Sequence, residues 1–199
     1  MVISAVEVKK LRDMTGAGMM DCKSALIETD GDIEKAVDYL RKKGIASAQK
    51  REGREVKEGA VITYVHPGNR LGVIVEVNCE TDFVAKTNEF QLFAKDIAMQ
   101  IAATNPTAIH REDVPQEIVE KELDIYRTQM KEERKPAAVI DKIVQGKLEK
   151  FYQEVVLLEQ GFVKDPNKAV KEYLLEVSGK LGEHISIRRF VRFQLGEAI

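Results

Sequence analysis

The side chains in this sequence best suited to proton transfer, nucleophilic attack or metal ligation are His66, His110, His184, Cys22 and Cys79. Nucleophilic catalysis needs a hydroxyl or thiol with a base beside it and a further group to orient that base. No histidine here lies close in sequence to a serine or cysteine arranged in that way, and all three sit near the ends of predicted elements, where a solvated or capping imidazole is the ordinary role. Zinc sites use clustered Cys and His ligands at short spacings; the sequence has no H-x-x-x-H and no Cys/His cluster. Cys22 and Cys79 are far apart and in no C-x-x-C arrangement, which argues against a disulfide framework and for a reducing, cytoplasmic setting. The phosphate-cradling pattern G-x-x-x-x-G-K-[ST] is absent. Gly16-x-Gly18 comes nearest to a dinucleotide loop, but no strand precedes it, and Asp21 stands where the third glycine belongs, with a carboxylate that repels phosphate. These two glycines read as a turn between helices. No cofactor, no metal and no enzymatic activity are expected.

Binding is the remaining class of function. Of the 199 residues, 44 % are hydrophobic, enough for a packed core, and 32 % are charged, yet the net charge is only −2. Proteins that grip phosphate backbones carry a basic excess, so direct nucleic-acid binding is not expected. Arg188, Arg189 and Arg192 form a basic stretch in the last predicted strand, open to two readings: contact with RNA or an acidic partner, or charges that deter edge-to-edge strand pairing. The absence of Trp and a 6 % aromatic content leave no stacking ladder for single strands. No apolar run approaches the roughly 20 residues that span a bilayer, and the N-terminal MVISAVEVKK lacks the apolar stretch of a secretory signal, so no membrane role is expected.

The elements follow from period and punctuation. Ser4 and Glu7 fit a capping box ahead of Val8 and Leu11. A second helix carries Cys22, Ala25 and Leu26 inward. A third shows Ile33, Ala36, Val37 and Leu40 on one face, with Gly44 as its expected stop. A charged linker, KREGREVK, follows. Val61 to Val65 and Leu71 to Cys79 alternate with period two on either side of Pro67-Gly68-Asn69-Arg70, which predicts a β-hairpin with one apolar face. Phe90, Phe93, Ala94, Ile97, Ala98 and Ile101 make a helical stripe that Asn105-Pro106 ends. Asp113 and Gln116 read as a capping pair with Pro115 in the first turn. Stripes at Val119, Leu123, Tyr126, Met130 and at Ile140, Val144, Leu148, Phe151, Val155, Leu158 flank a short KEERKP connection and predict an antiparallel helical hairpin. Asp165-Pro166 is expected to open a last helix that Gly182 closes, before a final strand with Ile185, Ile187, Val191, Phe193 and Leu195 on one face.

Two segments resist a purely structural account. Met19 and Met20 are adjacent on a helix, hence about 100° apart, and at least one is expected at the surface, where methionine suits adaptable partner contacts. Cys79-Glu80-Thr81-Asp82-Phe83-Val84 joins the hairpin to the helix of Phe90. Asp82 is either that helix's cap with Phe83 as a core residue or staple, or, if Thr87 caps it, part of a loop holding out a carboxylate beside an aromatic ring.

The run Met14-Thr15-Gly16-Ala17-Gly18-Met19-Met20-Asp21-Cys22-Lys23-Ser24-Ala25-Leu26 resembles the N-terminal signature of the bacterial elongation factor Ts family, and Asn78-Cys79-Glu80-Thr81-Asp82-Phe83-Val84-Ala85-Lys86 carries that family's TDFV motif. Gly31-Asp32-Ile33-Glu34-Lys35-Ala36, Ile143-Val144-Gln145-Gly146-Lys147 with Lys150-Phe151, and Arg192-Phe193-Gln194-Leu195-Gly196-Glu197 extend the resemblance over nearly the whole chain. The resemblance implies a guanine-nucleotide exchange factor of translation elongation, which binds elongation factor Tu and releases its GDP. Met19 and Met20, with Arg12 and Lys23 beside them, are then expected to touch the GTPase. Thr81, Asp82, Phe83 and Val84 are expected to insert near its magnesium and phosphate site. The expected fold is α+β: a three-helix, UBA-like head over residues 1–50, a linker at 51–57, and a core over 58–199. That core is a small antiparallel sheet covered by helices, with a helical hairpin projecting over about 115–158. Longer members carry two core repeats and this chain has room for one, so a homodimer is expected. Two other readings predict different behaviour: an interaction module that binds a partner without changing its nucleotide, and an RNA-binding protein using Arg188, Arg189 and Arg192.

Overall fold

A computed structural model describes residues 3–133 and 136–197. The chain forms two compact units interleaved in sequence. One comprises Met1–Val61, Glu76–Ala94 and Glu172–Ser186; the other comprises Ile62–Val75, Lys95–Lys171 and Ile187–Ile199. The architecture mixes helices with a small sheet, as expected for the α+β class. Strands β1 (Glu58–Val65), β2 (Leu71–Cys79) and β5 (Ser186–Gln194) lie in the order β1-β2-β5.

In the first unit, helix α1 (Ala5–Thr15) starts with the Ser4–Glu7 capping box and stops at Gly16, whose φ of +69° suits a residue without a Cβ. Helices α2 (Met19–Glu28) and α3 (Ile33–Gln49) follow, and Asp32 caps the latter by accepting the Lys35 N–H. Val8, Leu11, Cys22, Ala25, Leu26, Ala36 and Leu40 close into one core, as the stripes predict. Gly44 does not stop α3. The helix runs through it to Gln49, because the backbone there packs against Gly179 of α8 (Val170–Leu181). A Cβ on Gly179 would stand 2.7 Å from the Gly44 carbonyl carbon and oxygen, so glycine serves close helix approach at this crossing. Val77 and Cys79 of β2 are buried, and so are Phe90, Phe93 and Ala94 of α5 (Asn88–Thr104).

In the second unit, Ile97, Ala98 and Ile101 continue the buried stripe of α5. Helices α6 (Gln116–Glu132) and α7 (Ala137–Val155) pack together with Met130, Val144 and Leu148 inside. Lys147 of α7 donates to Gln129 Oε1 at 2.8 Å and lies over the Tyr126 ring. Part of the KEERKP connection, residues 134 and 135, lies outside the described residues. The expected capping pair is replaced: Pro115 occupies the cap position of α6, and Asp113 accepts the His110 N–H at 3.1 Å, closing a separate turn over Arg111–Asp113. The Arg111 guanidinium clamps that turn to Glu149 and Glu159 and lies over Tyr152.

Asp165-Pro166 opens no helix. Asp165–Ala169 is strand β4, paired antiparallel with β3 (Gly161–Phe162), and α8 begins only at Val170. A Cβ on Gly161 would meet the Pro166 carbonyl at 3.2 Å, so the glycine admits the partner strand where a side chain would crowd it. The last strand also departs from simple alternation. Ile185 and Ile187 are buried, but Val191, Phe193 and Leu195 are exposed, with Phe190 and Arg192 turned to the less accessible side. The change of side falls at the exposed pair Arg188-Arg189.

Candidate functional site

After β2 the Thr87 alternative holds: Asp82 does not cap the helix of Phe90, and it stands with Phe83 not in a loop but on a short helical turn with a cap of its own. Thr81 caps a single helical turn, α4 (Asp82–Ala85), accepting the Val84 N–H at 3.4 Å. Thr87 then starts α5, its hydroxyl oxygen accepting the Phe90 N–H at 3.2 Å. The buried Cys79 thiol donates to the Thr81 carbonyl at 3.1 Å, and burial pushes that thiol up to about 11. Ala85 is buried and Val84 half-buried, so the turn stands on these two side chains and presents the rest. Phe83 is 79 % exposed. A phenylalanine left in water forgoes roughly 1.5–3 kcal/mol of burial, which an apolar partner surface can recover. Asp82 Oδ2 accepts from Lys86 Nζ at 2.6 Å, and this bond holds the Asp82 carboxyl below its ordinary range, so it is ionised at neutral pH. An exposed pair of this kind contributes little and yields readily to a stronger ligand.

The second cluster lies at the α1–α2 junction. Met19 and Met20 are the first two residues of α2, 46 % and 71 % exposed, because Gly18 starts the helix just before them and Cys22 takes the inward position. Arg12 of α1 and Lys23 of α2 are exposed as well. Met14 and Ile27 are exposed apolar residues of the same helices that spacing had not singled out. Neighbouring Asp21 receives Lys43 Nζ at 2.9 Å.

All eight expected contact residues thus belong to one unit, as two surface clusters. Helix α8 connects the elements that carry them. Its Gly179 packs on α3, and its Lys180 lies against the Gly16 turn, where a Cβ would come within 2.8 Å of Lys180 Cε. Lys180 Nζ then reaches Glu89 Oε1, in the first turn of α5, at 2.6 Å. No spacing rule reveals such a bridge, since it joins residues 91 apart.

Two of the three histidines and Arg192 have structural partners. His66 Nδ1 lies 3.0 Å from the Tyr64 hydroxyl, and His184 Nδ1 lies 2.9 Å from the Arg54 carbonyl. Arg192, 11 % exposed, is committed to Glu197 and Gln194. Among the described residues no helix is long and apolar enough to cross a membrane.

Adaptable and aromatic side chains held in water, Phe83 on its capped turn and Met19 and Met20 at the start of α2, are the equipment of a protein that binds another macromolecule. Comparison with known proteins gives that class its family. The model of the family described as elongation factor TS matches residues 32–197. Elongation factor Ts of Caldanaerobacter subterraneus subsp. tengcongensis is 62 % identical over 198 residues, covering 100 % of this chain and 99 % of that protein. Those of Carboxydothermus hydrogenoformans and Geobacter sulfurreducens are 59 % and 56 % identical, each over 100 % of this chain and over 91 % and 92 % of their own lengths. The chain belongs to the elongation factor Ts family, and it is a translation elongation factor.

Proposed function

We propose that this chain is a guanine-nucleotide exchange factor that binds elongation factor Tu carrying GDP and promotes its release, and that it breaks no covalent bond itself. The observation that carries this reading is Phe83, almost wholly in water on a turn capped at its first residue. An exchange factor must bind the empty GTPase better than the loaded one. Linkage then makes factor and nucleotide weaken each other by the same ratio. A phenylalanine that fits only the opened partner supplies such a difference, and Asp82 brings negative charge to the same place. Met19 and Met20, with Arg12 and Lys23, supply docking contacts that do not depend on the nucleotide. Titration calorimetry tests this. The factor is expected to bind nucleotide-free elongation factor Tu at least about a hundredfold more tightly than the GDP form, near the typical upper end for coupling between sites. Equal affinity for the two forms contradicts exchange and leaves a plain interaction module.

We also infer a cytoplasmic homodimer. Val65, Ile74, Val191, Phe193 and Leu195 of the second unit are exposed. Along their strands Val65, Ile74, Val191 and Phe193 alternate with more buried neighbours, half-buried Tyr64, buried Val73 and Val75, and less exposed Phe190 and Arg192, which sets them on the open face of the sheet, and Leu195 follows directly after β5. A second copy offers the same apolar face, as a two-fold interface requires. Sedimentation equilibrium is expected to give twice the chain mass for the wild type and a single chain mass for Phe193→Glu. A wild type that is monomeric at tens of micromolar, on the order used for moderate dimers, removes this inference.

A further inference from the structure

The turn that carries Asp82 and Phe83 is held from outside its own segment. Gly182, with a φ of +75°, ends α8 and donates its N–H to the Ser178 carbonyl at 2.9 Å, so Glu183 emerges directly at the helix end. One carboxylate oxygen of Glu183, Oε2, accepts the N–H of Glu80 at 3.1 Å and of Thr81 at 3.0 Å. The other, Oε1, accepts the Thr81 hydroxyl at 2.6 Å. Successive amides converging on one anionic oxygen make a concavity suited to negative charge, and bonds to an ionised acceptor are the strong ones. The grip is reciprocal. Glu80 Oε1 accepts the His184 N–H at 2.7 Å, and chiefly this bond holds the Glu80 carboxyl below its ordinary range. Glu80 Oε2 also lies 3.4 Å from Arg54 Nη1, and the Arg54 carbonyl is within 2.9 Å of His184 Nδ1, which must carry a proton to bond it.

We propose that Glu183 is a positioning residue for nucleotide exchange: it sets the rotamer of Thr81, and through it the turn that presents Phe83. This rests on the reading of Phe83 as the element that enters the GTPase. The Thr81 hydroxyl has one proton. Because Glu183 takes it, the hydroxyl oxygen is left to accept the Val84 N–H, which is the bond that caps α4. Without Glu183 the hydroxyl is free to rotate, the two amides turn to water, and Phe83 projects from a turn no longer anchored at its first residue. The cost of ordering that turn is then met on docking, at the moment when Phe83 must reach a defined position. The Met19 and Met20 cluster does not depend on this contact, so initial docking is spared.

Glu183→Ala and Glu183→Gln are compared with the wild type for GDP release from elongation factor Tu and for amide hydrogen exchange. In Glu183→Ala the maximal release rate is expected to fall about tenfold, the equivalent of about 1.4 kcal/mol. The half-saturating concentration should shift less than about threefold, the pattern of a lost interaction that acts in the release step rather than in docking. Amides of Thr81 and Val84–Lys86 should exchange faster while those of α5 and α8 keep their protection. Glu183→Gln keeps the size and one neutral acceptor, and should fall between. A maximal rate and turn protection equal to the wild type's overturn the proposal. So does a rate loss accompanied by faster exchange throughout α5 and α8, which would make Glu183 a general stability residue. A wild type that does not accelerate release defeats the exchange reading instead; amide exchange in the turn then still decides whether Glu183 holds it.

Discussion

Phe83→Ala is expected to lower the maximal acceleration of GDP release about ten- to a hundredfold while leaving the protein as stable as the wild type. The rate effect follows from burial: a phenylalanine side chain moved from water into an apolar site gains roughly 1.5–3 kcal/mol, and each 1.4 kcal/mol is about a factor of ten. The unchanged stability follows from the 79 % exposure of Phe83 in the free protein, where truncation leaves no cavity. Ala85 and Val84, not Phe83, seat the turn, and neither the Thr81 cap nor its Glu183 bonds involve side-chain atoms of Phe83. Phe83→Leu should retain part of the effect, since it keeps an apolar body of smaller reach. Stopped-flow release and a thermal melt on the same preparations separate the two quantities. A variant that exchanges at the wild-type rate, or one that melts well below it, refutes the assignment of Phe83 as an exposed wedge.

Gly179→Ala is expected to destabilise the protein, against the usual sign. Replacing glycine by alanine inside a helix normally gains about 0.5–1 kcal/mol by restricting the unfolded chain. Here the new methyl would stand 2.7 Å from the Gly44 carbonyl carbon and oxygen and 2.9 Å from its Cα, all backbone atoms that no rotamer change can move. Helices α3 and α8 must separate, and overpacking of this kind costs typically 1–3 kcal/mol, occasionally more. A net loss of about 1–2 kcal/mol should lower the melting temperature by roughly 2–8 °C for a chain of this size. Gly146→Ala is the control, because a Cβ there meets nothing within 4 Å and its helical position should show the ordinary gain. A rise in melting temperature for Gly179→Ala means that the α3–α8 crossing has room for a methyl group where a 2.7 Å approach leaves none. The consequence reaches function, since α8 links α3 to the Gly16 turn, to Glu89 and to the Glu183 grip on Thr81.

Local signals carried much of this fold. The Ser4–Glu7 box, the Ile33–Leu40 face and the Phe90–Ile101 stripe each consist of residues whose roles are decided by neighbours three or four positions away, and each forms as its spacing predicts. Where the deciding neighbour is remote, local spacing points the wrong way. Gly44 looks like a helix stop until Gly179 is placed beside it. Asp165-Pro166 looks like a helix start until Gly161 pairs across from Ala169. The uniform face expected of the last strand breaks at Arg188-Arg189, where two consecutive charged residues stay in water and the alternation changes side. In the candidate site the Thr87 cap was legible, but the Asp82 cap does not form and the Thr81 cap carried no signal, because the contact that orients Thr81 comes from Glu183. Lys180 and Glu183 carry no motif at all; their partners lie 91 and 102 residues away.

The most direct measurement is the dissociation rate of a fluorescent GDP from elongation factor Tu, followed by stopped flow with increasing amounts of this protein. The rate is expected to climb with its concentration to a plateau about a hundredfold above the spontaneous rate, the order that typical coupling energies between sites supply when they act on release. A folded protein that binds the GTPase and leaves that rate unchanged at every concentration contradicts exchange.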